Sequence, residues 1–203
     1  MTDDLARFWP SRLDGALRER LLAAYDGSGR GYHDRRHLAE VLHHVEDLMG
    51  PDEPALEAVL VAAWFHDAVY DGRGDDEERS AQLAERSLDD SALGLEVGRL
   101  VRLTATHRAA RDDRPGQVLC DADLAILAAG PTRYAEYVAG VRAEYSHVED
   151  EAFAVGRARV LRDLLGKRSL FHTEAARRRW ESRARANVEA EIRSLRSTRR
   201  SRG

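Results

Sequence analysis

Helix-forming residues dominate the chain, and this pattern limits the folds open to it. Leu, Ala, Arg and Glu supply most of the sequence, alternation of β-branched residues is nearly absent, and only 15 glycines and 5 prolines interrupt it. The pattern therefore predicts an all-α fold. The predicted helices cover approximately residues 11–25, 35–49, 54–67, 76–88, 92–107, 121–129, 131–146, 149–165 and 173–195.

The predicted helices are joined by short segments rich in Gly, Asp and Pro, which is typical of a compact helical bundle. With 203 residues and no repeat or internal linker, the sequence predicts a single domain over residues 1–195. Residues 196–203 are predicted to form a basic, disordered tail, because the segment RSTRRSRG is rich in arginine and lacks apolar residues.

The overall charge gives no reason to expect nucleic acid or a membrane as a partner. Charged residues make up 33% of the chain, yet the formal net charge is only −4. One cysteine excludes an intramolecular disulfide, and the segment MTDDLARFWP lacks the apolar stretch of a signal peptide. No run approaches the roughly 18–20 apolar residues that span a bilayer. We therefore expect a cytoplasmic protein and leave homo-oligomer formation open.

Histidine–aspartate pairs occur twice, in contrasting surroundings. His33-Asp34 lies in the polar segment YHDRRH, whereas His66-Asp67 follows directly after the apolar run LEAVLVAAWF. Buried imidazole and carboxylate groups are costly unless they are paired or bind a cation. The second pair is therefore the stronger candidate for a functional site.

Two further polar positions border apolar helical segments. His37 shares a side of its predicted helix with Val41 and Leu42, where a histidine can also be an ordinary core residue. The segment DAD offers Asp121 and Asp123 before the apolar run LAILAA. Asp121 fits the N-cap of a helix without any functional role, whereas Asp123 falls in the first turn and is expected to face other helices.

Together, His37, His66, Asp67 and Asp123 place two imidazoles and two carboxylates on three predicted helices. Mixed nitrogen and oxygen ligands suit a divalent metal ion such as Mn, Fe, Co, Ni or Zn, with Mg as a further candidate. A bound ion of this kind lowers the pKa of a water ligand and polarises a phosphoryl oxygen. The pattern therefore favours a metal-dependent hydrolytic site.

The order His37, His66-Asp67, Asp123 in an all-helical chain resembles the HD superfamily of metal-dependent phosphohydrolases. The segments YHDRRH, WFHDAVYD, DDEERSA, DADLAIL, VRAEY and ARANVEAE are similar to one branch, the predicted metal-dependent HD phosphohydrolases, over residues 32–191. The resemblance implies an HD-type helical bundle in which these four residues bind one divalent ion, with Asp121 as the alternative last ligand. It also implies a small phosphorylated substrate, such as a nucleotide.

Two further residues are candidates for catalysis. Asp71 follows His66 by five residues, and in related HD hydrolases an acid just after the pair orients or deprotonates water. Asp71 could equally be a turn residue of the segment DGRG. His107 ends a predicted helix, where it could contact phosphate, ligate a second metal or simply complement the helix dipole.

Candidates for substrate binding are Tyr32 and His33, which precede His37 by about one helical turn or less, and Glu78, which opens a helix together with Glu77. Either glutamate could instead complement the helix dipole. Arginine suits an anionic substrate. Arg142 ranks first because it lies in the matching segment VRAEY, ahead of Arg102, Arg108 and Arg157.

Signature motifs of several other enzyme classes are missing: GxxxxGK[ST], GxGxxG, GxSxG and HExxH. The sequence thus favours a metal-dependent phosphohydrolase acting on a nucleotide or other small phosphate ester. A non-catalytic HD domain that binds a nucleotide or a protein partner is the alternative from another class. A di-iron oxygenase is disfavoured, because only His107 lies between Asp67 and Asp123, where such sites normally add two histidines.

Overall fold

The computed structural model describes residues 5–72 and 74–200, with side chains through residue 196. Its helices confirm the all-α prediction, and no strand occurs in these ranges. The α-helices are α1 (Gly15–Tyr25), α2 (Arg35–Leu48), α3 (Leu56–Phe65), α4 (Asp76–Ser87), α5 (Ser91–Thr104), α6 (Arg114–Leu124), α7 (Pro131–Glu144), α8 (Asp150–Leu165) and α9 (Glu174–Arg200). Short 3₁₀ helices cover Leu5–Phe8 and Ala125–Ala128.

Helix α3 lies at the centre of the bundle, where it packs against α2, α4, α5 and α6. Apart from Glu57 in the first turn, its run LEAVLVAAWF is apolar on every side, which is typical of a helix that is buried all round. Val59 and every residue from Val61 to Phe65 have no exposed surface. The polar residues that follow, His66 and Asp67, are consequently held next to the core.

Helix α9 packs against α8 and against the 3₁₀ helix Ala125–Ala128. Three of its side chains, spaced four residues apart, are buried in this packing: Ala184, Val188 and Ile192. Asn187 adds a polar link, because its Nδ2 donates to the carbonyl oxygens of Leu127 (2.8 Å) and Ala129 (3.0 Å). The last helix is therefore an integral part of the bundle.

The segment predicted as a tail from residue 196 continues α9, whose backbone is helical through Arg200. The rest of that prediction concerns residues 201–203, which lie outside the described ranges. No helix in the described part of the chain is both long enough and apolar enough to cross a bilayer.

The sequence predicted that helix α6 begins at residue 121, but it begins at Arg114. The side chain of Asp113 accepts a hydrogen bond from Gly116 N (3.1 Å), and Pro115 occupies the first turn. An aspartate N-cap followed by proline is a strong start for a helix, so the segment RDDRPG opens α6 instead of forming a loop. The interpretation of Asp121 as an N-cap is therefore wrong.

Asp121 instead joins α6 to the start of α9. It is fully buried, and its carboxylate accepts hydrogen bonds from the backbone N–H groups of His172 (2.6 Å) and Thr173 (2.7 Å). These N–H groups precede α9 and have no partner within that helix. The buried carboxylate therefore has a structural role.

Gly31 and Gly140 let the loop before α2 lie directly on α7. A Cβ added at Gly31 would lie 2.5 Å from the carbonyl oxygen of Gly140, and a Cβ at Gly140 would overlap the backbone of Gly31 in the same way. Only glycine permits so close an approach of two backbones. The contact places the end of α7 beside the residues that precede α2.

We expect Asp121→Ala to lower the free energy of unfolding by roughly 2–4 kcal/mol, because it leaves two buried backbone N–H groups unpaired. Equilibrium unfolding in urea measures the difference. The matched control is Asp112→Ala in the exposed loop before α6, which should change the free energy of unfolding by less than about 0.5 kcal/mol. Equal stability of the two variants would contradict the role of Asp121.

Candidate metal centre

His37 lies in the first turn of α2, where the helix cap fixes its position. The side chain of Asp34 accepts hydrogen bonds from the backbone N–H groups of Arg36 (2.9 Å) and His37 (3.1 Å). Aspartate is among the preferred N-cap residues. The imidazole of His37 is 1% exposed and points into the bundle.

His66 and Asp67 follow the last residue of α3, and His66 is also 1% exposed. Nδ1 of His66 lies 2.7 Å from the carbonyl oxygen of Ala63, which can only accept a hydrogen bond. Nδ1 must therefore carry a proton, which leaves Nε2, on the interior side of the ring, as the nitrogen that could bind a metal ion. Histidines that bind a metal through one ring nitrogen usually donate the N–H of the other nitrogen to a carbonyl or carboxylate oxygen.

Asp123 lies near the end of α6, which packs against both α2 and α3. Its Oδ1 is 3.2 Å from His37 Nε2 and 3.8 Å from His66 Nε2. The structure therefore brings Asp123 into the group and places Asp121 elsewhere, which answers the question left open by the segment DAD.

The two imidazoles and two carboxylates converge on one small volume. Nε2 of His37 and Nε2 of His66 are 3.0 Å apart, and Asp67 Oδ2 lies 3.0 Å from the latter and 3.4 Å from the former. Metal–ligand bonds of about 2.1 Å give neighbouring ligand atoms separations of about 3.0 Å at an octahedral ion and about 3.4 Å at a tetrahedral one. His37, His66 and Asp123 thus form a group that could hold a metal ion.

The chemistry of Asp67 also fits a cation at this place. Its Oδ2 is buried and makes no hydrogen bond within the described residues, although two imidazole nitrogens lie close to it. A buried carboxylate oxygen is costly without a partner. A cation among these atoms would supply one.

The charges of the group favour a positive ion in its centre. Burial alone would lower the pKa of His37, but the carboxylates of Asp123 and Asp67 raise it to about 10. Burial would likewise raise the pKa of the Asp123 carboxyl, but His107 and His37 hold it well below its usual range. Carboxylates that stay ionised beside imidazoles attract either protons or a metal cation.

His107, one of the two candidates for catalysis, lies against the group. Its Nε2 donates to Asp123 Oδ2 (2.8 Å), which leaves Oδ1 of that carboxylate directed at His37. His107 has a φ of 50°, and its backbone oxygen accepts a hydrogen bond from Lys167 Nζ (2.9 Å). A non-glycine residue at positive φ is uncommon and is found at sites where the surrounding structure holds it in place.

Tyr32 supports His37 directly, since Tyr32 Oη and His37 Nδ1 share a hydrogen bond of 2.9 Å. His33 lies at the rim, where its ring stacks on Tyr70 at a centroid distance of 4.1 Å. Both residues therefore border the group, as expected from their spacing to His37. Tyr32 holds a candidate ligand, and His33 lines a cavity that lies beside the group of His37, His66, Asp67 and Asp123, called the His–Asp group from here on.

Glu144 organises this rim, and the sequence analysis did not single it out. Its buried carboxylate accepts hydrogen bonds from the backbone N–H groups of Tyr32 (2.8 Å) and His33 (2.9 Å), from His33 Nδ1 (2.8 Å) and from Tyr70 Oη (3.0 Å). It belongs to the segment VRAEY, yet its partners around Tyr32 are 111 and 112 residues away in the chain. The close contact between Gly31 and Gly140 helps to bring the two segments together.

Asp71 and Glu78 are not part of the group. Asp71 accepts hydrogen bonds from Arg79 (2.6 and 3.0 Å), and Glu78 accepts from Arg102 (2.7 and 2.8 Å). Neither lines the cavity beside the His–Asp group, whereas Glu77 does. The choice between the two glutamates was therefore wrong, because the register at the start of α4 turns Glu77 inward and Glu78 outward.

Arg142 also lies away from the cavity. Its guanidinium binds the end of α7 and the loop that follows, through the carbonyl oxygens of Tyr145 (2.5 Å) and Val148 (3.0 Å) and the side chain of Asp150 (2.8 Å). Arg108 and Arg157, which ranked below it, do line the cavity. Arg142 caps the end of α7, and this role could not be predicted from the segment VRAEY because most of its partners lie in the loop that follows.

The cavity beside the His–Asp group has a volume of about 770 Å³ and includes Asp67, His107 and Asp123 in its wall. Aromatic and aliphatic side chains form much of the remainder, among them Tyr32, Tyr70, Tyr145, Phe153, Ile126 and Leu127. Charged side chains complete it: Arg108, Arg157 and Lys167 with Glu77 and Asp163. A mixed apolar and charged wall of this size suits a small organic molecule that carries an anionic group.

Comparison with protein-family models, with curated proteins and with solved structures gives no match to this chain. The resemblance to the HD superfamily therefore stays an expectation from the sequence. Any function proposed for the site has to be argued from its residues and their geometry.

We expect Tyr32→Phe to weaken metal binding by roughly 10–100-fold, because it removes the hydrogen bond that orients His37. Competition with a chromogenic chelator measures the affinity. Tyr134→Phe is the matched control, since it removes a buried bond to Glu191 (2.6 Å) outside the group and should leave metal affinity unchanged. A Tyr32→Phe protein with undiminished affinity would contradict the supporting role of the hydroxyl.

Proposed function

We propose that the protein is a metal-dependent phosphohydrolase of the HD type, acting on a nucleotide or other small phosphate ester. The observation that carries the proposal is the convergence of His37, His66, Asp67 and Asp123 beside a cavity with cationic side chains in its wall. The order and spacing of these residues, which resemble the HD superfamily, support the same reading.

The four residues would hold one divalent ion through two imidazole nitrogens and two carboxylate oxygens. Such an ion, bound in a site of this composition, lowers the pKa of a water molecule and polarises a phosphoryl oxygen. Mn, Fe, Co, Ni, Zn and Mg all accept mixed nitrogen and oxygen ligands or carboxylates, so the donor set leaves the choice among them open.

His107 acts on the site through Asp123. Its N–H fixes one carboxylate oxygen and thereby orients the other toward His37. His107 is also part of the cavity wall, and since its Nε2 is bound to Asp123, we assign the contact with a bound phosphate to its other ring nitrogen, Nδ1. Hydrogen-bond donors aimed at a phosphoryl group stabilise the charge that develops as the bond to the leaving group breaks.

The proton-handling role first given to Asp71 falls to another acid. Glu77 lies in the first turn of α4 and lines the cavity, whereas Asp71 is paired with Arg79 outside it. A carboxylate at the cavity wall can accept a proton from water or deliver one to a leaving group. We assign this role to Glu77.

The rest of the cavity would bind the remainder of the substrate. Arg108 and Lys167 supply positive charge for phosphate oxygens, and Tyr70, Tyr145 and Phe153 offer faces on which an organic ring can pack. This combination is the reason for preferring a nucleotide-like ester to a bare phosphate.

The test is a phosphate-release screen with protein loaded in turn with Mn²⁺, Co²⁺, Ni²⁺ and Mg²⁺. We expect turnover of at least one nucleotide or phosphate ester, and we expect His66→Ala to reduce both turnover and bound metal to background. His147→Ala is the matched control, because His147 is exposed and lies outside the cavity wall. The His147→Ala protein should keep both its turnover and its bound metal.

Two results would contradict the proposal. Metal retained by His66→Ala at the level of the unaltered protein would show that the ion binds elsewhere. Stabilisation by nucleotides without product, with every metal, would indicate a binding module instead of an enzyme.

A further inference from the structure

A second concave surface lies next to the metal centre. It has a volume of about 1300 Å³ and is formed by residues 107–111, the first turn of α6 and residues 166–185. We refer to it as the basic cleft. None of the candidate metal ligands belongs to its wall, although part of that wall is shared with the cavity described above.

The basic cleft carries a large excess of positive charge. Seven of the residues in its wall are arginine or lysine, and only two, Glu174 and Glu181, are acidic. This local excess contrasts with the net charge of −4 for the whole chain. The cleft is therefore a distinct electrostatic feature and not a sample of the average surface.

Most of this charge is not neutralised by the protein. Arg114 pairs with Glu53 and Arg185 with Glu181. The four remaining arginines of the wall make no ion pair or side-chain hydrogen bond among the described residues, and all four are exposed: Arg108, Arg111, Arg168 and Arg177. Guanidinium groups held around a concave surface suit a ligand with several anionic oxygens, because each can bind two of them at once.

Lys167 and Arg108 reinforce the excess where the cleft meets the metal centre. Nζ of Lys167 donates to the carbonyl oxygens of Thr106 (2.9 Å) and His107 (2.9 Å) and has no carboxylate partner in the described residues. Burial lowers the pKa of Lys167, and the nearby charge of Arg108 lowers it further. The positive charges of Lys167 and Arg108 repel each other, and an anion bound between them would stabilise both.

The two concave surfaces share part of their walls. His107, Arg108 and Lys167 line both the cavity beside the His–Asp group and the basic cleft. A ligand that contacts the metal centre through one phosphate can therefore extend past these residues toward the arginines.

We propose that the basic cleft binds a chain of phosphates continuous with the group at the metal, so that the substrate is polyphosphorylated. The statement that the phosphate chain belongs to a substrate rests on the function proposed above. Binding of a phosphate chain in the cleft can be measured without turnover. The shared chemistry is a run of linked phosphates, which a nucleoside polyphosphate and inorganic polyphosphate both provide.

The wall favours a phosphate chain over single-stranded nucleic acid. Binding of single strands combines positive charge with exposed aromatic rings on which bases stack. The one Phe, Tyr or Trp side chain in the described wall is Phe171, which is only 1% exposed. The described wall of the basic cleft thus offers charge without an exposed Phe, Tyr or Trp ring on which a base could stack.

The first arm of the experiment measures binding in metal-free buffer containing EDTA, because tripolyphosphate itself chelates divalent ions. Isothermal titration compares orthophosphate, inorganic tripolyphosphate and a single-stranded oligonucleotide. We expect tripolyphosphate to bind most tightly. Arg111→Ala/Arg177→Ala should weaken it by roughly 10–100-fold, as expected for two lost charge-assisted contacts. The matched control, Arg159→Ala/Arg183→Ala, removes two exposed arginines outside both walls and should have little effect.

The second arm uses metal-loaded protein and compares a nucleoside monophosphate, a nucleoside triphosphate and inorganic tripolyphosphate as substrates. The cleft variant should raise KM for the polyphosphorylated substrates and leave KM for the monophosphate unchanged. Comparison of the triphosphate with tripolyphosphate tells which source of the phosphate chain is preferred.

The proposal is overturned if tripolyphosphate binds no more tightly than orthophosphate, or if the control and cleft variants weaken it equally. Tighter binding of the oligonucleotide, lost in the cleft variant, would overturn it in favour of a nucleic-acid surface. Selective binding of tripolyphosphate without turnover of any substrate would support the anion site while contradicting the proposed enzyme.

Discussion

Two imidazole nitrogens and two carboxylate oxygens lie within a few ångströms of each other where α2, α3 and α6 meet. The two imidazoles are almost completely buried, and the side chains of Asp67 and Asp123 are only 14% and 15% exposed, so little water can solvate these polar groups. Such an arrangement is costly unless a positive charge is shared among them. Much of the surrounding structure serves to hold the four groups in place: the Asp34 cap on α2, the Ala63 carbonyl behind His66, and the His107 ring behind Asp123.

The centre also depends on contacts made far away in the chain. Tyr32 reaches His37 because Glu144 holds the backbone of Tyr32 and His33, and Glu144 reaches them because Gly31 and Gly140 allow two backbones to touch. Asp121, two residues before Asp123, anchors α6 to the start of α9, and this contact helps to keep Asp123 directed at α2. The candidate metal centre is thus supported by α7 and α9 as well as by the helices that carry its candidate ligands.

The helical architecture and the core of the site were within reach of the sequence, since both follow from local patterns. An apolar run without alternation predicts a buried helix, and polar residues at its end predict a site, which is how His66 and Asp67 were found. The start of α6 was missed because Asp113 and Pro115 are read equally well as a loop or as a helix cap. Partners beyond the local segment could not be predicted, so Glu144 was overlooked, and Asp71, Glu78 and Arg142 were given roles although Arg79, Arg102 and Asp150 bind them.

Two kinds of surface meet at the centre, one aromatic and apolar, the other rich in arginine. His107, Arg108 and Lys167 lie on the boundary between them and line both. A molecule with an organic ring at one end and several phosphates at the other would contact both surfaces with its phosphate at the ion. The distribution of charge around the ion, more than the ion itself, would then select the substrate.

X-ray absorption spectroscopy of the Zn²⁺-loaded protein tests whether the four groups share one cation. We expect a coordination shell of nitrogen and oxygen atoms at about 2.0–2.2 Å, with the outer-shell scattering of two imidazole rings. That scattering should be halved in His37→Ala. A spectrum without imidazole scattering, or one that His37→Ala leaves unchanged, would contradict a cation shared by these residues.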